Sequence, residues 1–325
     1  MKSRNLHRAG ISLFALLFLT FFTVGAWTQS IVSGEINGTV TDPSGAVVPG
    51  ASVVLKSNDT GTTQTATTNG TGGYRFPFLK PGSYTVSINQ SGFQKVVQTV
   101  QVSVGQSTRS DLRLSVGQSS QTVEVSAQTP IIQTDNGNTQ TSFNTAEIES
   151  LPTPGGDITY VAQTAPGVAI NASSGGGYGN FTANGTPATA NLFTVNGNDE
   201  MDPFLNLNNS GASNLLLGTN ELAEATVTTN GYTGEYGRNA GAQVNYATKS
   251  GTNNFHGNAI YSYSGAAMNA RDWFATPGEA NPNSQQHQWA ASIGGPIVKD
   301  KTFFFLDTEG VRYKLPTSQA AYIPS

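Results

Sequence analysis

The chain has 325 residues, a formal net charge of -4 and only 11% charged residues, with 37 Gly and no Cys. The missing cysteines exclude disulfides and thiolate metal sites, and the weak negative balance excludes the clustered Lys and Arg that nucleic-acid phosphates require. Stability has to come from burial and hydrogen bonding, and the richness in Gly, Thr, Ser and Asn suits short strands and turns outside the cytoplasm.

At the N-terminus, Lys2, Arg4 and Arg8 precede an apolar run from Ile11 to Val24 and a small-residue site at Val24-Gly25-Ala26. This order predicts a cleaved secretory signal peptide over residues 1–26, since the run is shorter than the roughly 20 residues of a membrane helix. No later segment is apolar enough for such a helix, so any further membrane role falls to strands.

From residue 31 to 116 the pattern predicts a β-sandwich. Ile36 and Val40 alternate with polar residues up to the turn Asp42-Pro43-Ser44-Gly45. Ala51, Val53 and Leu55 form a second apolar face, and a Thr-rich strand runs from Thr62 to Thr68. Asn69-Gly70-Thr71-Gly72-Gly73 supplies residues that tolerate positive φ for a reversal. Tyr74, Phe76, Tyr84, Val86 and Ile88 occupy alternating, core-facing positions, and further strands are expected over Gln94–Val104 and Thr108–Val116. About seven strands at this spacing indicate a sandwich of ordinary domain size. Here Gly38-Thr39-Val40-Thr41-Asp42, Val48-Pro49-Gly50-Ala51-Ser52-Val53 and Leu79-Lys80-Pro81-Gly82-Ser83-Tyr84-Thr85-Val86 resemble the carboxypeptidase regulatory-like domain. That family has a transthyretin-like, carbohydrate-binding-like sandwich and is a non-catalytic appendage, so the resemblance implies neither peptidase activity nor, by itself, sugar binding.

Residues 117–141 are rich in Gln, Ser and Thr and read as a linker with one strand-like piece, Thr122-Val123-Glu124-Val125. Residues 142–248 mix short helices with strands in an α+β plan. Asn144 and Glu147 have capping-box spacing for a helix ending near Leu151-Pro152. Asp157 is placed to cap a second helix through about Thr164, which Pro166-Gly167 stops, and strands are expected at Leu192–Val195, closed by Asn196-Gly197, and at Ala225–Thr229. After Lys249-Ser250-Gly251-Thr252-Asn253 the pattern becomes strict alternation: Gly257, Ala259, Tyr261 and Tyr263 on one face, Asn258 and Ser262 on the other. Trp289, Ala291 and Ile293 repeat it, and Thr302–Arg312 adds another strand. One apolar, aromatic-ended face and one polar face describe a strand between lipid and lumen.

Glu147–Pro152, Ala165-Pro166-Gly167-Val168, Phe193-Thr194-Val195-Asn196-Gly197 and the run Tyr232–Gly257 resemble, in order, the plug domain and plug-to-barrel junction of Oar-like TonB-dependent outer-membrane receptors. Ala183-Asn184-Gly185 departs from the Gly-Gln-Arg common in relatives, which weakens any carry-over of a charged contact there. The resemblance implies a mainly β chain: sandwich, α+β plug, and residues 249–325 as the start of a barrel that closes with about 22 strands. Since an open sheet edge leaves backbone groups unpaired in lipid, the expectation is the N-terminal part of a longer receptor.

The resemblance also implies outer-membrane localisation with periplasmic N-terminal domains, and energised uptake of an oligosaccharide, peptide or other large ligand, with TonB and outer-membrane lipid as partners. Thr122, Val123, Glu124 and Val125 are the candidate TonB contact, by strand addition; plain linker or a first plug strand is the competing reading. Glu235, Tyr236, Gly237, Arg238 and Lys249 mark the plug–barrel junction, where Glu235 and Arg238 pair with each other or with the barrel wall. A secreted or surface-attached carbohydrate-binding module is the alternative function.

No enzyme site is visible. His256 and His287 stand in no His-Glu-x-x-His arrangement, and Gly175-Gly176-Gly177-Tyr178-Gly179 lacks the Lys-Ser/Thr of a phosphate loop. The acidic turn Asn196–Asp202 misses the EF-hand spacing, so no cofactor or metal is assigned.

Overall fold

The computed structural model describes residues 33–117, 122–125, 137–151, 158–170, 181–202, 218, 220–231, 234, 236–268, 270 and 284–314. The expected signal peptide, Asp157, the Gly175–Gly179 run and Glu235 lie outside them. The fold is mainly β, with three groups of strands.

The first group is a sandwich. One sheet holds β1 (Gly34–Thr41), β4 (Gly73–Leu79), β7 (Ser107–Arg109) and β8 (Leu112–Arg113); β4 runs antiparallel and the two short strands parallel to β1. The facing sheet has the order β3 (Thr63–Thr67), β2 (Ser52–Ser57), β5 (Gly82–Ile88), β6 (Lys95–Val102), β9 (Thr122–Val125). Alternation sets the two faces of β1, β2, β5 and β6, so Ile36, Val40, Val53, Leu55, Val86 and Ile88 meet in a core with Tyr74 and Phe76. Each such side chain contributes roughly 1.5–3 kcal/mol of burial. Tyr84 is buried as expected too. Gly38 has no space for a side chain, because a Cβ there would strike the Ser110 carbonyl that accepts the Tyr74 hydroxyl.

The last expected sandwich strand, Thr108–Val116, is two short strands that cross to β1, broken where the Ser110 N–H turns to the Asn37 carbonyl. The strand-like piece of the expected linker is neither linker nor part of the next group. As β9 it lies parallel to β6 at the sheet edge, in the register Lys95 to Thr122 and Gln98 to Val125.

The second group is a five-stranded sheet of order β10 (Thr139–Asn144), β15 (Leu222–Asn230), β16 (Gln243–Thr248), β13 (Leu192–Val195), β14 (Asn198–Asp199), in which only β13 and β16 are parallel. Helix α1 (Thr145–Ser150) packs on it and is capped as the sequence predicts: Asn144 Oδ1 accepts from the Glu147 N–H at 3.1 Å, and a Glu147 carboxylate oxygen accepts from the Asn144 N–H at 2.8 Å. The expected second α-helix is a 3-10 helix, Ile158–Thr164, whose β-branched Ile158, Thr159 and Val161 favour burial over regular helix. Phe143, Ile148, Ile158, Phe181, Phe193, Val244 and Tyr246 fill this second core. A two-stranded ribbon, β11 (Val168–Ile170) with β12 (Phe181–Ala183), adjoins it. Asn196 and Gly197 both take positive φ, 50° and 80°, the geometry of a two-residue hairpin turn.

The third group is an antiparallel sheet of β17 (His256–Gly265), β18 (Gln285–Val298) and β19 (Thr302–Lys314). The register carries Tyr261 opposite Trp289 and Ile293 opposite Leu306, while Asn258 faces Ser292 and Ser292 faces Asp307. Tyr261, Trp289, Ile293 and Leu306 are all exposed. Gly310 lies opposite Trp289, where a Cβ would collide with the indole. This is the two-faced strand pattern expected from the sequence.

Candidate functional site

Side-chain contacts join the three groups of strands pair by pair. Tyr236, Gly237 and Arg238 lie in the return from β15 to β16. Arg238, with φ at 66°, forms an ion pair with Asp199 of β14. Among the described residues its ion-pair partner is therefore the acidic hairpin; the other expected partner, Glu235, lies outside them. Asp199 also accepts the Met201 N–H at 2.9 Å, so its carboxylate is already occupied. The Tyr236 hydroxyl donates to Gln140 Oε1 at 3.3 Å, and Gly237 is exposed beside it. Lys249, just past β16, reaches back 3.1 Å to Glu149 on α1.

A second contact joins the middle sheet to the sandwich. The turn after β6 presents the Val104 N–H to Glu224 Oε1 at 2.9 Å, and Gln140 Nε2 donates to the Val104 carbonyl at 2.8 Å. Glu224 is 5% exposed. Burial pushes its carboxyl up to about 7, against the pull of the donors Val104, Ser103, Thr226 and Ser142. Sequence reasoning passed over Glu224, because an isolated acid in an apolar run carries no local signal of its distant donors.

The third contact joins the middle sheet to the terminal one. Asn220, 1% exposed, sits just before β15; its side-chain amide donates to Asp307 and its backbone N–H lies 3.1 Å from Glu309 Oε1. Burial, then the Asp307 charge, raises the pKa of Glu221. A fourth feature is a cleft between the sandwich and the residues leading into β17, lined by Asp59, Gln64, Phe78, Lys80 and Phe303. Phe78 departs from the buried aromatics of its strand: it is 60% exposed and holds φ at 57°, a region uncommon for an aromatic residue.

Two of these groups match known domain families. Residues 35–115 match the carboxypeptidase regulatory-like domain, and residues 247–325 match an outer membrane beta barrel domain. The TonB-dependent transporter Oar of Myxococcus xanthus is 29% identical over 291 residues, 84% of this chain but 26% of that protein. The chain spans about a quarter of that protein's length. Among solved structures, the outer membrane transporter YddB from Escherichia coli has a TM-score of 0.40 at 13% identity, over 49% of this chain and 24% of that one. Catechol 1,2-dioxygenase from Acinetobacter sp. has a TM-score of 0.25 at 13% identity, over 31% of this chain and 60% of that one. Likenesses this partial say nothing about activity.

Proposed function

We propose that the chain supplies the N-terminal part of a TonB-dependent outer-membrane transporter. In this reading the sandwich lies in the periplasm, the middle group is the plug, and β17–β19 begin the barrel wall. The observation that carries it is the two-faced terminal sheet: Tyr261, Trp289, Ile293 and Leu306 exposed on one face, with Asp307 and Glu309 of the other face turned to the middle sheet. A lipid-facing apolar surface backed by a polar lumen is what a membrane strand requires. The imported ligand is a large one, an oligosaccharide or a peptide, and the plug gates the pore.

TonB engages the outer edge of β9. Thr122–Val125 end the sheet order and have strand pairing on one side only among the described residues, which leaves main-chain groups for strand addition. Cysteines placed singly at Thr122 and Val125, in a chain that has none of its own, test this by cross-linking to a TonB C-terminal domain carrying one cysteine. Cross-links at these positions, and none at the opposite sheet edge on Thr65, are expected; equal yields at both edges would contradict the assignment.

A carbohydrate-binding module is the second reading, and exposed Phe78 in its cleft is the observation that favours it. Polysaccharide retention lost in Phe78→Ala would support that reading, and unchanged retention would remove it.

A further inference from the structure

The apolar face of the terminal sheet changes character along its length. At the end nearest the sandwich, where the Asn253 N–H donates to the Asp59 carbonyl at 2.9 Å, it carries Phe255 and Phe304, with ring centroids 6.3 Å apart. Ala259, Ala291, Ile293 and Leu306 follow. At the far end the register brings together Tyr261 with Trp289, and Tyr263 with His287 and Arg312; Lys314 is two residues further on the same face. The Tyr261 hydroxyl lies 2.7 Å from His287 Nδ1, and the Tyr263 and His287 rings are 5.0 Å apart, so the imidazole is held between two phenols. Arg312 and Lys314 are exposed, and neither joins an ion pair among the described residues. Among those residues of the three strands this face holds no acid, since Asp307 and Glu309 belong to the other. In water two such cations are simply solvated. On a face turned to lipid, a basic side chain beside an aromatic girdle is matched by anionic headgroups at that depth.

We propose that Arg312 and Lys314, with the Tyr261, Tyr263 and His287 cluster beside them, bind the headgroup phosphates of an anionic lipid in the outer leaflet. The direction of the sheet rests on the function proposed above: with the sandwich in the periplasm, the end that meets Asp59 is the inner one and the Arg312 end the outer one. The depth agrees. From Phe255 to Tyr263 the strand covers about 27 Å, or roughly 20 Å of height at a tilt of about 40°, close to the apolar band between two aromatic girdles. Arg312 offers a planar fork to two phosphate oxygens and Lys314 a point charge. The Trp289 indole, seated over Gly310, packs on the acyl chains just below.

Native mass spectrometry of the protein, extracted from outer membranes in a mild detergent and stripped of lipid, tests the site by titration with diphosphoryl lipid A and with zwitterionic phosphatidylethanolamine. The wild type is expected to retain diphosphoryl lipid A and to bind phosphatidylethanolamine at least about tenfold more weakly. Arg312→Gln and Lys314→Gln should each weaken the anionic lipid by about fivefold, and the double variant by roughly thirtyfold. Lys299→Gln with Lys301→Gln removes the same charge from the exposed turn between β18 and β19, at the inner end, and should leave binding unchanged. Equal affinity of the wild type for the two lipids would overturn the proposal without need of any variant. So would equal losses in the two double variants, which would mean attraction to net charge alone. Either result leaves the outer-membrane assignment standing, whereas a protein recovered only in the soluble fraction would overturn both.

Discussion

Glu224 of the middle sheet accepts the Val104 N–H of the sandwich at 2.9 Å, across 120 residues of sequence and in a place almost closed to water. The turn after β6 is thereby held by a carboxylate, and the hydroxyls of Ser103, Ser142 and Thr226 complete its donors. One residue thus ties the regulatory-like domain to the element that leads into the terminal sheet.

The first prediction follows from that tie. Burial raises the Glu224 pKa from 4.5 to about 7, so the folded state binds a proton that the unfolded chain has released. Stability is therefore highest below the ordinary value and is lost as pH rises through 7, because the charge that then forms is buried. Denaturant midpoints at pH 5 and 8 should differ in the wild type and differ less in Glu224→Gln, in which only the other buried acids still titrate. Glu224→Ala should lose about 1–3 kcal/mol at pH 5 by stranding the Val104 N–H.

A local test is offered by α1. Replacing Asn144 with Ala removes the side-chain half of the capping box, leaving its backbone N–H to donate to Glu147, and should cost about 1 kcal/mol in a denaturation series. Asn144→Asp should retain most of it, because the carboxylate accepts the same Glu147 N–H.

Arg238 gives a test of backbone against charge. Its ion pair with Asp199 is exposed and worth under about 1 kcal/mol, whereas the left-handed φ of 66° disfavours any side chain by roughly 1–2 kcal/mol. Arg238→Gly should be as stable as the wild type or more so, and Arg238→Ala less stable than Arg238→Gly. The order of the two melting midpoints decides the matter.

The faces of the terminal sheet predict an asymmetry. Leu306→Arg places a charge on the apolar face and should reduce assembly in lipid by about 2–4 kcal/mol if it sits near the bilayer midplane. Ser262→Arg, on the polar face, should assemble normally. Refolding yields in lipid vesicles measure both.

Features written in adjacent residues were legible in the sequence. The capping box needs only Asn144 and Glu147, the hairpin needs only Asn196-Gly197, and the alternation of β17–β19 is visible strand by strand. What escaped was non-local. Nothing around Thr122–Val125 shows that they will lie parallel to β6, and nothing around Arg238 points 39 residues back to Asp199. Strands β10 and β16 were missed because both are polar in sequence, with Gln140, Ser142, Gln243 and Asn245 set in contacts that only the assembled sheet provides.

The two-faced sheet is expected to belong to an outer-membrane barrel. Fractionated cells should be probed with an antibody raised to residues 35–115, in heated and unheated electrophoresis samples. The account predicts an outer-membrane band whose mobility changes on heating, as a closed barrel unfolds. A soluble band with the same mobility in both samples would contradict it.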